Sequence, residues 1–205
     1  MIAMVLAATN PDSLLALAIL HHQKGEYAQA LSLYREAVAA DPNRVTPWFA
    51  LGLIYHDMDS FPQARLAYER AFALDPRDPK PLFNIGITYE EEGNLPSAIE
   101  SYRRALSVNP GYAKAAFNAG LDFAEMGTRD SAEIYLKRSV IADPNYHEAW
   151  YRLARFYAEE SRTTDALMAL SKAMEIDPGY ALLAREDSAF SGLWDDARFR
   201  RLTGQ

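Results

Sequence analysis

Residues 79–112 read PKPLFNIGITYEEEGNLPSAIESYRRALSVNPGY, and this stretch decides the fold. Its first half carries apolar or small residues at the i, i+3, i+4 and i+7 spacing of one helix face, namely Leu82, Ile85, Gly86 and Tyr89. Its second half continues with the i, i+4, i+7 set of Ala98, Tyr102 and Ala105. Gly93 breaks the pattern between the halves, and Pro96 suits the first turn of a new helix. The stretch therefore predicts two amphipathic helices joined by a tight turn.

The same pattern recurs along the whole 205-residue chain. An Asp-Pro or Asn-Pro pair stands every 34 residues, at Asp41-Pro42, Asp75-Pro76, Asn109-Pro110, Asp143-Pro144 and Asp177-Pro178. Each proline ends a helix, because it lacks the backbone N–H and disfavours helix at the residue before it. We divide the chain into a lead-in (1–10), a repeat region (11–178) and a C-terminal capping segment (179–205). The five units are 11–44, 45–78, 79–112, 113–146 and 147–180.

Aligning the five units on one another reveals where small and large residues alternate. Position 8 of the unit is Ala18, Gly52, Gly86, Gly120 and Ala154. Position 20 is alanine throughout, at Ala30, Ala64, Ala98, Ala132 and Ala166. Position 24 is large, with Tyr34, Tyr68, Tyr102, Leu136 and Leu170. Small residues let two helix backbones approach closely, and the large ones fill the space between helices.

This alignment resembles the tetratricopeptide repeat (TPR) family over residues 11–178. The resemblance implies an all-α, right-handed α-α superhelix (TPR solenoid) of five helix-turn-helix repeats plus a C-terminal capping helix. It also implies a protein-protein interaction scaffold or adaptor, whose first helices line a concave groove that holds a peptide or helix of a partner protein.

The concave groove would be lined by a second stripe on each first helix, opposite the core stripe. Its aromatic and aliphatic residues have no core to enter, which favours a binding surface, although packing between helices is the alternative. The expected peptide-binding residues are Phe49, Leu53, Lys80, Phe83, Asn84, Ile87, Lys114, Phe117, Asn118, Leu121, Tyr151, Arg152 and Arg155.

Two family devices can be tested against this stripe. Asn84 and Asn118 share position 6 of adjacent units and could bond a peptide backbone as a two-rung ladder, or simply be common residues there. A clamp for a C-terminal carboxylate is incomplete, because Phe49 and Leu53 replace its first Lys and Asn.

Charges on the first helices are ordered against the helix dipole. Lys80 and Lys114 lie in first turns, and acidic residues lie in last turns, at Asp57, Glu90, Glu91, Glu125 and Glu159. This arrangement indicates a basic and an acidic rim that select a partner, with a merely solvated surface as the alternative.

Composition excludes several other functions. The formal net charge of −7 argues against nucleic acid as a partner, and the absence of cysteine excludes disulfides and thiolate sites. His22 and His56 share position 12 of adjacent units, but a pair is too few for a metal site. No catalytic motif is present, so we expect no enzyme activity, no cofactor and no metal.

The chain ends carry the last expectations. Residues 181–187 and 195–202 should form two short capping helices, whereas Trp194 and Phe199 could instead form a docking patch. The apolar start MIAMVLAATN lacks the basic residues of a secretory signal, so no membrane insertion is expected and we assign a cytoplasmic location, leaving export open. The alternative function is a self-assembling structural subunit of an envelope or secretion complex, with homo-oligomers left open.

Overall fold

The computed structural model describes residues 10–204, where all regular structure is helical. Five helix pairs follow one another: α1 (Pro11–Gln23) with α2 (Tyr27–Ala40), α3 (Val45–Asp57) with α4 (Phe61–Leu74), α5 (Lys80–Glu91) with α6 (Leu95–Val108), α7 (Ala113–Glu125) with α8 (Arg129–Ala142), and α9 (His147–Glu159) with α10 (Thr163–Ile176). The expected all-α class of consecutive helix-turn-helix repeats is confirmed. None of the helices in this described range is long and apolar enough to cross a membrane.

The chain divides into two compact units, which we call the N-terminal unit (Met1–Pro110) and the C-terminal unit (Gly111–Gln205). In the N-terminal unit each helix packs on its hairpin partner, and α2 and α4 also pack on the first helix of the following repeat. In the C-terminal unit α9 packs on both α8 and α10 in the same way. The repeat is therefore the packing unit, as the sequence period predicts.

The close approach of paired helices depends on the small residue at position 8. A methyl group added to Gly86 would lie 2.3 Å from Cε1 of Tyr102, and one added to Gly52 would lie 2.3 Å from Cε1 of Tyr68. Because the glycines leave this space, both tyrosine rings are completely buried. The first and fifth repeats carry alanine at this position, so their helix pairs accommodate one more methyl group.

Each hairpin turns through a single residue in the left-handed conformation. That residue is Gly25, Asp59, Gly93, Gly127 or Ser161, with φ between 54° and 73°. In the third repeat the N–H of Gly93 donates to the Glu90 carbonyl and that of Asn94 to the Tyr89 carbonyl, at 2.9 and 2.8 Å. These bonds satisfy carbonyls that the helix end would leave unpaired. The break that the sequence predicts at Gly93 lies at one of these turns.

The C-terminal segment folds onto the last repeat. It comprises α11 (Tyr180–Glu186), a 3-10 helix (Ser188–Leu193) and α12 (Ala197–Thr203). Phe190, Leu193 and Phe199 are buried in the same core as residues of α9 and α10. The docking-patch alternative is therefore wrong for Phe199, which has no exposed surface, while Trp194 is partly exposed. Sequence periodicity missed the 3-10 helix because it is only six residues long and has no helical repeat.

The lead-in lies almost wholly outside the described residues. Only Asn10 is described, and its side-chain oxygen accepts a hydrogen bond from the N–H of Asp12 at 2.9 Å. Asn10 thus caps α1, which begins at Pro11 as predicted.

We expect Gly86→Ala to lower the free energy of unfolding by about 1–3 kcal/mol, the usual cost of overpacking. The new methyl group must displace the Tyr102 ring or separate α5 from α6. Urea denaturation followed by circular dichroism measures the effect. Gly192→Ala is the matched control, because a Cβ there meets nothing within 4 Å. Equal stability of the two variants would contradict this account of the helix pairing.

Candidate functional site

The N-terminal unit presents four apolar side chains at positions 5 and 9 of its second and third repeats. We call Phe49, Leu53, Phe83 and Ile87 the N-terminal stripe; all four are half-buried. The ring of Phe49 lies 5.5 Å from that of Tyr68, and the ring of Phe83 lies 5.6 Å from that of Tyr102. Each phenylalanine is thus held by the buried tyrosine of its own repeat while part of its surface stays open to solvent.

Polar residues of α5 border this stripe. Lys80 is exposed, and its side chain forms no ion pair with any residue between 10 and 204. The amide nitrogen of Asn84 donates to the backbone carbonyl of Lys80 at 2.9 Å. Because that bond stays within the helix, only part of the Asn84 amide can serve a bound peptide.

In the C-terminal unit, α7 carries the equivalent positions of the fourth repeat. Phe117 is only 4% exposed, so the expectation of an open ring is wrong there. The cause is Tyr146, in the connection before α9, whose ring centroid lies 5.0 Å from that of Phe117. Burial raises the pKa of Tyr146 to about 12, with Glu148 adding to the rise. Leu121 and Asn118 are half-buried, and Lys114 is exposed.

The fifth repeat has its stripe covered by the C-terminal segment. Tyr151 is 5% exposed and stacks on Tyr180, with ring centroids 4.6 Å apart. Its hydroxyl donates to Asp187 at 2.8 Å, and burial together with this bond raises the pKa of Tyr151 above its usual range. Arg155 Nε lies 3.0 Å from the same carboxylate, as an ion pair whose angle does not make a hydrogen bond. Tyr151 is therefore not an open binding residue. Arg155 keeps 31% of its side-chain surface exposed while it pairs with Asp187, and Arg152 is half-buried.

The expected acidic rim acts mainly within the fold. Asp57 lies 2.7 Å from His22 Nε2, and Glu91 lies 2.9 Å from His56 Nε2. Each pair joins position 12 of one repeat to position 13 of the next, so the carboxylates connect successive repeats. In the C-terminal unit, Glu159 accepts a hydrogen bond from Arg129 Nη1 at 3.1 Å. Each of the two histidines thus pairs with a carboxylate. In both pairs the carboxylate follows the histidine by one repeat plus one residue, and this spacing could have indicated the pairs from the sequence.

Possible metal ligands do not cluster in the described part of the chain. Among residues 10–204 no group of three or more His, Asp or Glu side chains could hold a metal ion. The site offers apolar contact and isolated charges, which suit recognition of another chain.

Comparison with known families matches most of the chain. A TPR repeat model matches residues 18–59, and tetratricopeptide repeat models match residues 45–78, 79–112 and 117–181. No curated protein matches the chain.

Solved structures share the fold at low sequence identity. MamA is 24% identical with a TM-score of 0.69, and the match covers 80% of this chain and 96% of that one. YrrB, a TPR protein with an unusual peptide-binding site, is 23% identical with a TM-score of 0.65 over 90% of this chain and 96% of that one. PilW, a type IV pilus biogenesis factor, is 22% identical with a TM-score of 0.70 over 94% and 90% of the two chains. Because the matched segments together span residues 18–181, this chain belongs to the tetratricopeptide repeat family.

Proposed function

We propose that this chain is a protein-interaction scaffold that binds a peptide or helix of a partner protein on the N-terminal stripe. TPR proteins are generally non-enzymatic modules with protein partners, and the fold supports this class of function. YrrB, which shares the fold, is a TPR protein with an unusual peptide-binding site, and this likeness is consistent with the proposal.

The observation that carries the proposal is the partial exposure of Phe49, Leu53, Phe83 and Ile87 at equivalent positions of two successive repeats. A partly exposed aromatic ring that already packs against a buried ring loses little side-chain entropy when a partner covers it. Such pre-positioned aromatic anchors dominate many interfaces. Lys80, which has no ion-pair partner among residues 10–204, supplies a positive charge beside them.

The proposed site is smaller than the sequence suggests. In the C-terminal unit, Lys114, Asn118 and Leu121 keep accessible surface on α7, and Arg152 keeps some on α9. We propose these four as contacts of the C-terminal unit, considered by itself. Phe117 and Tyr151 are left out, because Tyr146 and the C-terminal segment already cover them. Arg155 is left out because its guanidinium already pairs with Asp187.

We expect Leu53→Gln combined with Ile87→Gln to weaken partner binding by about 2 kcal/mol, roughly thirtyfold, because these side chains would be central to the interface. A photoreactive phenylalanine at position 83 first identifies the contacted partner segment. Calorimetry with that segment as a synthetic peptide then compares the variants.

The control for this experiment is Leu66→Gln, because Leu66 belongs to the same unit, is 74% exposed and lies outside the stripe. It should bind the peptide as the unmodified chain does. Undiminished affinity in the Leu53→Gln, Ile87→Gln variant, with an unchanged helical signal, would reject the stripe as the site.

Self-association is a second candidate, favoured by an uncovered face of α1. Leu17 and Leu20 are each 45% exposed, whereas the equivalent Leu51 and Ile54 of the second repeat are buried. The difference arises because α3 packs on α2 of the repeat before it, and no described helix pair precedes α1. Apolar core positions left open in this way suit a contact with another chain.

We expect the sedimentation coefficient of the unmodified chain to rise with protein concentration, and Leu17→Glu with Leu20→Glu to remove that rise. The two charges would oppose burial of this face without disturbing the other repeats. A concentration-independent monomer in the unmodified chain would eliminate self-assembly while leaving peptide binding untouched.

A further inference from the structure

The C-terminal unit contains a second surface, which we call the α8–α10 trough. It has a volume of about 570 Å³ and is bordered by α8 and α10, with Trp150, Leu153 and Tyr157 of α9 between them. Its volume lies within the range of functional binding pockets, roughly 300–1,000 Å³. None of these residues belongs to the proposed peptide-binding set.

The trough is mainly apolar. Ile141 of α8 and Met168 of α10 are 78% and 62% exposed, although both have large hydrophobic side chains. The indole N–H of Trp150 donates to the Pro144 carbonyl at 2.9 Å, so the polar atom of that ring is already satisfied. The surface left for a ligand is therefore hydrocarbon and the carbon atoms of an aromatic ring.

An equivalent surface between α4 and α6 has a smaller volume, about 380 Å³, and a salt bridge across it. There Glu69, at position 25 of the second repeat, accepts a hydrogen bond from Arg104, at position 26 of the third, at 2.7 Å. In the α8–α10 trough the same two positions are Lys137 and Lys172. Two lysines cannot form that bridge, so the only pairing between the two sides that we find among residues 10–204 is at one end, where Arg162 lies 2.8 Å from Glu133 of α8.

Within residues 10–204, Lys137 and Lys172 pair only with carboxylates of their own helices. Lys137 Nζ lies 2.7 Å from Glu133, and Lys172 Nζ lies 2.7 Å from Glu175. The Lys172–Glu175 pair joins two exposed side chains, and a pair of this kind contributes little to stability. Glu133 is less exposed, at 22% of its side-chain surface. The third lining cation, Arg162, contacts Glu133 and the single lining carboxylate, Asp165.

The lining thus combines three cations and one carboxylate with an apolar floor, on a chain whose net charge is −7. We infer that the α8–α10 trough docks an acidic amphipathic helix of a partner protein. Apolar side chains of that helix contact Ile141, Met168 and Trp150, and its flanking carboxylates pair with Lys137 and Lys172. This inference concerns a different face from the N-terminal stripe and does not rest on it.

Two fluorescent synthetic helices, each about five turns long, test this inference. They share one leucine ridge and carry either glutamate or lysine beside it. Fluorescence anisotropy with the full chain should show the glutamate peptide binding at least about tenfold more tightly than the lysine peptide. Lys137→Glu with Lys172→Glu should reverse that preference, and Ile141→Asn with Met168→Asn should abolish binding of both peptides.

Several controls keep the outcome decisive. Lys137→Gln with Lys172→Gln gives the charge effect with less perturbation of the fold, should the reversal destabilise α8 or α10. Lys80→Glu should leave binding of both peptides unchanged. Leu53→Gln with Ile87→Gln should also have no effect; if it removes binding instead, the peptides occupy the N-terminal stripe, and the trough inference fails while the proposed function stands.

Other results overturn the inference outright. These are no binding of the glutamate peptide, equal binding of the two peptides, or a preference that survives charge reversal. Direct binding of dodecanoate, together with no binding of either peptide, would assign the trough to a small amphiphile. Loss of concentration-dependent self-association in the Ile141→Asn, Met168→Asn variant would assign it to a second copy of the chain.

Discussion

The close contact between the small residue at position 8 and the large one at position 24 is the constraint on which the other features depend. Because Gly86 lets Tyr102 lie against its backbone, that ring is buried inside the hairpin and becomes the support for Phe83 on the opposite stripe. Gly52 and Tyr68 do the same for Phe49. The stripe is therefore a by-product of hairpin packing: the residues that fix the fold also fix the orientation of the residues proposed to bind.

The sequence predicts the repeating part of this structure well. Four of the five first helices begin at the first residue of their 34-residue unit, and the other begins one residue later, at Lys80. Periodic spacing, turn residues and prolines all agree along this part of the chain. The failures concern Phe117 and Tyr151, which are covered by Tyr146 and by Tyr180 and Phe190. Those covering residues lie in a connection and in the non-repeating tail, so the period holds no information about where they pack.

Charge varies among repeats more freely than packing does. Positions 25 and 26 form the Glu69–Arg104 bridge in one place and present Lys137 and Lys172 in another, although the helices that carry them are alike. Position 12 is histidine in two repeats, and each histidine meets a carboxylate of the next. Repeats that share a backbone can thus acquire separate surfaces, since exposed charges affect stability by only about 1 kcal/mol or less.

The contact of Tyr151 and Arg155 with Asp187 also limits how this protein can lengthen during evolution. A duplicated unit inserted directly after the fifth repeat would detach the tail from its seat, unless the new last unit supplied the same tyrosine and arginine. Units copied from upstream carry phenylalanine or leucine with aliphatic residues at those positions, and would leave Asp187 buried without a cation. Of the five units, only a copy of the fifth therefore carries the tyrosine and arginine that hold Asp187.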